Sequence, residues 1–151
     1  MKIQIESFHI IGLAVRTSNE GGRAEKDIPA LWSQFFGDGV LAKIPNRQDD
    51  TLYCIYTDYE KDHTRPYTTI LGCRVDKLEE IPEGMTGLTI ENGQYQQYPL
   101  KGNLNDGLVY NKWNEIWQSP LERLISADFE VYDHRSTDPS NAEVDIFISL
   151  R

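Results

Sequence analysis

The chain has 151 residues, enough for one domain with a substantial buried core. Hydrophobic residues make up 39% and aromatics 11%, which excludes a disordered polar chain. With 24 acidic against 15 basic residues the formal charge is −9, which argues against direct nucleic-acid binding, since a phosphate backbone needs clustered Lys and Arg. Met1 to Glu6 alternates as a strand does and lacks a signal-peptide apolar block. No apolar run reaches membrane-spanning length, so no membrane partner and a cytoplasmic location are expected.

In chain order, Phe8 to Leu13 reads as a strand. Ile28, Leu31, Trp32, Phe35 and Phe36 follow at helical spacing, with Asp27 as the expected cap, Pro29 in the first turn and Gly37 and Gly39 as the stop. Two strands are expected at Leu52–Tyr56 and Thr69–Val75, separated by the polar loop from Tyr59 to Pro66. Cys54 and Cys73 sit on apolar strand positions without metal or redox spacing and read as buried free thiols. Asp76 to Met85 is a connector. The order then recurs: a strand at Gly93–Tyr98, a helix from Val109 to Trp117 with Asn105 or Asp106 as cap and Pro120 as stop, then strands at Phe129–Tyr132 and Glu143–Leu150. The result is α+β: two β-α-β-β units, about residues 1–76 and 86–151, in one domain spanning 1–151.

Alternation places Val144, Ile146, Ile148 and Leu150 on one face of the last strand, and Asp145 and Phe147 on the other. Glu130 and Tyr132 share a face of the preceding strand, and the alternation groups them with Asp145 and Phe147, away from the aliphatics. Aligning the two units puts Tyr53 in the place of Glu130. From the residues alone, Glu130 has two other readings: a solvated strand position, or a partner of Arg135 or Arg74. Trp32 and Trp113 hold matching helix positions, where core packing competes with ligand contact. Tyr53 and Phe147 are similarly divided. His9, His63 and His134 lack metal-ligand spacing, so neither a metal nor another cofactor is expected.

The motifs Ile81-Pro82-Glu83-Gly84-Met85, Gly93 to Gly102, the Trp113/Trp117 helix, Asp128-Phe129-Glu130-Val131-Tyr132 and Glu143 to Leu150 stand in a specific order. Through them the chain resembles the GyrI-like small-molecule-binding domain, the effector-binding domain of AraC- and MerR-type multidrug-responsive regulators. The first half matches more loosely, through Ile10 to Leu13 and Ile28 to Trp32. The resemblance implies duplicated SHS2-like units forming an antiparallel sheet with two main helices and a central cleft. In that cleft a glutamate matching Glu130 pairs with lipophilic, often cationic, ligands among aromatic rings, with Tyr132 lining the pocket. The expected ligand-binding set is therefore Glu130, Tyr132, Tyr53, Trp32, Trp113 and Phe147. No helix-turn-helix segment flanks the domain, so the standalone form is expected. The resemblance leaves three further readings open. Some relatives hydrolyse cyclopropane-containing compounds, for which Glu130 would be the catalytic residue. Others inhibit DNA gyrase, making gyrase or a transcription-regulatory protein a partner. A homodimer is also open.

Overall fold

A computed structural model describes residues 1–151. Its strands are β1 (Lys2–Ile5), β2 (Phe8–Thr17), β3 (Leu52–Thr57), β4 (Tyr67–Val75), β5 (Thr86–Ile90), β6 (Gly93–Gly102), β7 (Ala127–Tyr132) and β8 (Ala142–Ser149). The helices are α1 (Arg23–Gly37), α2 (Val40–Lys43) and α3 (Leu108–Gln118). All strands join one curled antiparallel sheet in the order β1-β6-β8-β7-β3-β4-β2-β5. Read from either edge, the long first strand (β6 or β2), then the last (β8 or β4), leads to β7 or β3 at the centre. The outermost strands are crossed over, β1 lying on β6 and β5 on β2. No helix is long and apolar enough to cross a membrane.

The two long helices cover one face of the sheet. Leu31 and Phe35 of α1, with Val40 of α2, bury against Ile11, Leu13, Leu52, Cys54, Leu71 and Cys73. Trp113 and Ile116 of α3 bury against Ile146 and Ile148 of β8, the aliphatic face read from the sequence. The helices thus sit over the two flanks of the sheet, and the central β3–β7 pair runs beneath the gap between them. The opposite face buries Phe8, Ile10, Ile55, Ile70, Ile90, Tyr95 and Phe129 as the sheet curls. Cys54 and Cys73 are free and buried.

Helix starts differ from expectation. Helix α1 begins at Arg23, after Gly22, and Asp27 instead accepts a 2.8 Å hydrogen bond from Thr17 Oγ1. Pro29 therefore lies inside the helix, where it withholds the amide that would bond the Glu25 carbonyl. Neither Asn105 nor Asp106 caps α3; Asn103 caps a preceding 3₁₀ turn, and α3 starts after Gly107. Its end at Gln118, before Pro120, matches the expected stop.

Candidate functional site

The register of the central strands decides which side chains meet. Cys54 stands opposite Glu130, and Glu130 opposite Ile146, so Glu130 faces the helices together with Tyr56 and Tyr132. That corrects the sequence grouping by one residue: Asp145 and Phe147 share the far face with Val131 and Phe129. Tyr53, opposite Val131, faces the same way and packs on Phe8 and Phe129. Phe147 stacks on Phe129, with ring centroids 4.9 Å apart. Tyr53 and Phe147 therefore stand apart from Glu130, because a one-residue change of register turns every side chain to the other face.

Above Glu130, between α1 and α3, lies a cavity of about 350 Å³. All three tryptophans of the chain line it: Trp32, Trp113 and Trp117. So do five of its eight tyrosines, Tyr56, Tyr59, Tyr67, Tyr110 and Tyr132. Of the expected set, the structure brings Glu130, Tyr132, Trp32 and Trp113 to one cavity. The rings brace one another: Trp32 meets Tyr132 edge-on at 4.9 Å, and Tyr56 meets Trp113 edge-on at 5.3 Å. The loop before β4 adds His63, stacked on Trp117 at 4.7 Å.

Glu130 is only 2% exposed. Its Oε2 accepts from Trp113 Nε1 at 2.7 Å and from Tyr56 Oη at 2.9 Å, and its Oε1 accepts from Tyr132 Oη at 2.5 Å. Three donors converge on one carboxylate, yet no cation pairs with it. Arg135 is engaged with Asp133 and Asp145, and Arg74 lies over the ring of Phe8. Burial raises the Glu130 pKa, and the bonds from Tyr132, Trp113 and Tyr56, which favour the ionised form, offset only part of that. The same burial, with Glu130 nearby, pushes the phenols of Tyr56 and Tyr132 well up, so both remain donors. Trp113→Phe removes one donor and is expected to raise the pH at which Glu130 titrates. Carbon NMR of the labelled carboxyl measures this directly, and an unmoved midpoint would deny Trp113 that role.

Elsewhere on the wall stand the exposed carboxylate Glu25, which has no ion pair, and one charged pair. Arg123 pairs with buried Asp128 at 2.7 Å. His63 is held below its ordinary pKa chiefly by burial, with Asp62 opposing and Arg123 reinforcing the shift. Glu130 is thus a desolvated acid among rings that lacks a counter-charge. A cation with apolar flanks would supply it, and aromatic faces attract such cations by about 0.5–2 kcal/mol per contact. No cluster of His, Cys, Asp and Glu in the chain could hold a metal ion.

The integron-associated effector binding protein family, Cass2, matches residues 3–150 by its family model. The chain belongs to that family. It is a GyrI-like small-molecule-binding domain. Among similar members, an integron cassette protein from the mobile metagenome of Vibrio cholerae, VCH_CASS2, is 27% identical, with a TM-score of 0.76 over 100% of this chain and 95% of that one. YobU of Bacillus subtilis strain 168, a proposed transcriptional regulator, is 26% identical over 93% of this chain and 90% of its own. The fold is also that of SAV2435, solved bound to tetraphenylphosphonium: TM-score 0.79, 17% identity, 100% of this chain and 93% of that one.

Sequence reading passed over Tyr56, Tyr59, Tyr67, Trp117, His63 and Arg123 as cavity residues. For two of them a signal existed. Tyr56 shares the face of Cys54 two residues on, and Trp117 follows Trp113 by one helical turn. Tyr59 and His63 come from a loop, where no periodicity marks a face.

Proposed function

We propose that this protein is a receptor for lipophilic cations, which it binds in the aromatic cavity with Glu130 as counter-charge. The observation that carries this is the buried Glu130 carboxylate, held by three donors and no cation, at the base of a cavity with all three tryptophans in its wall. The SAV2435 complex with tetraphenylphosphonium supports the same ligand class, since that cation is bulky, apolar and singly charged. Rings without a shape-specific set of polar contacts select for charge and apolar surface more than for identity, so several unrelated cations are expected to bind. We read the sheet order as two β-α-β-β units, about residues 1–76 and 86–151 of a single domain, with the cavity at their junction.

The test uses two ions of one shape and opposite charge. Tetraphenylphosphonium is expected to quench tryptophan fluorescence saturably, while tetraphenylborate binds at least about tenfold more weakly, a difference of about 1.4 kcal/mol. Equal binding of the two would refute the role of charge. Recovery of intact phosphonium after prolonged incubation would separate binding from turnover.

A further inference from the structure

Of the buried side-chain polar atoms without a hydrogen-bond partner, Thr69 Oγ1, Arg74 Nε and Arg123 Nε, only the last belongs to a residue lining the cavity. Arg123 follows α3, is anchored by a bridge to Leu150, and its side chain is 9% exposed. Its Nη2 donates to Asp128 Oδ2 at 2.7 Å. Asp128 is in turn saturated by Tyr59 Oη at 2.7 Å and by the amide and hydroxyl of Ser149 at 2.8 and 3.0 Å. The guanidinium is therefore fixed in place and electrically neutralised, yet one of its N–H groups is left without an acceptor. A buried donor in that state costs stability and is rare unless something fills it.

We infer that Arg123 is a second recognition point of the cavity, whose Nε–H donates to an uncharged acceptor, an ether or carbonyl oxygen, carried by the lipophilic cation. This rests on the receptor reading above and narrows its ligand class. The acceptor is uncharged because Asp128 already balances the guanidinium. An anionic group would also enter a cavity that holds unpaired Glu130. Five other donors at the wall are committed: Tyr56, Tyr132 and Trp113 to Glu130, Tyr59 to Asp128, and Tyr67 to Asn19 at 2.6 Å.

The experiment compares triphenylphosphonium cations whose fourth arm is an alkyl chain, an ether, a ketone or a carboxylate of equal length, titrated by tryptophan quenching. Wild type is expected to bind the ether or ketone arm about fivefold or more tightly than the alkyl arm, with the carboxylate weakest. Arg123→Lys keeps a cation for Asp128 but lacks the Nε donor. It is expected to reduce the preference of the ether or ketone arm over the alkyl arm below about twofold. In wild-type protein labelled with ¹⁵N-arginine, the Arg123 Nε–H resonance is expected to move with the ketone arm and not with the alkyl arm, a readout independent of how the variant folds. If wild type shows no preference, if Arg123→Lys keeps it, or if the carboxylate binds best, the inference is wrong while the receptor reading stands. If no phosphonium binds at all, both fall.

Discussion

Glu130→Gln is expected to weaken tetraphenylphosphonium binding about 10- to 100-fold while leaving the protein folded and at least as heat-stable as wild type. Both halves follow from burial. In the empty protein the Glu130 carboxylate is 2% exposed without a cation, so its charge is a cost to folding that three hydrogen bonds only partly offset. Glutamine keeps the size and one acceptor oxygen, relieving that cost. The bound cation, however, loses the buried charge that compensates its own desolvation. Calorimetric titration and a thermal melt of both proteins measure the pair of effects. Unchanged affinity in the variant would remove Glu130 from the site; a large loss of stability would mean that its role is structural.

The same carboxylate makes binding depend on pH, and the direction is determined by its raised pKa. Between the ordinary glutamate value and the higher folded-state value, the folded protein holds a proton that the unfolded chain has released. The stability contributed by protonated Glu130 is complete below the ordinary value and is lost as pH rises through the folded pKa. A cation prefers the ionised form, so affinity runs the opposite way: weak at low pH, rising through that same midpoint to a plateau. Binding below the plateau releases a proton. His63, kept neutral to lower pH by burial, would also oppose a cation once protonated. Glu130→Gln is expected to abolish the rise and His63→Gln to preserve it. A wild-type affinity that is flat from about pH 4 to 8 would contradict the coupling.

How much of this was readable beforehand depended on where each signal resides. Alternation within one strand is local, so Val144, Ile146 and Ile148 were legible as the face that takes a helix, and α3 packs there. The spacing of Ile28 to Phe36 likewise marked α1, although its start four residues before Asp27 carried no recognisable cap. Phase between neighbouring strands has no such local mark. Glu130 proved to sit beside Ile146 on the helix-covered face, and the side chains grouped with it, Phe147 and Tyr53, went to the other. A carboxylate against an aliphatic face contradicts the simple rule that charges point to water. That is why pattern alone put Glu130 on the wrong side, and why its burial is informative. The resemblance singled out Glu130 as the charge of interest but carried no register.

Gly72→Ala is expected to be among the most destabilising small substitutions in the chain, costing about 3 kcal/mol or more and roughly 10 °C in melting temperature for a domain of this size. Gly72 of β4 and Gly12 of β2 are direct partners, and neither position has room for a Cβ. At Gly72 an added carbon would run into the Ile11 carbonyl oxygen and lie 2.7 Å from Gly12 Cα; at Gly12 it would meet the Leu71 carbonyl and lie 2.6 Å from Gly72 Cα. The obstacles are backbone atoms of a paired strand, so no side-chain rotation relieves them. On its other edge β4 pairs with β3, which carries Tyr56 to the cavity, and β4 itself carries Tyr67 there. Gly37→Ala, at the end of α1 with nothing within 4 Å, is the control and is expected to be neutral or slightly stabilising. The site chemistry is untouched in Gly72→Ala, so a defect in folding predicts a specific rescue. Phosphonium at about a hundred times its dissociation constant restores about 2.7 kcal/mol to any protein that binds it only when folded. A Gly72→Ala protein that melts within about 2 °C of wild type would show that the strand pair gives way easily. One that melts early and gains nothing from ligand would show that the β3–β4 pair shapes the cavity as well as the core.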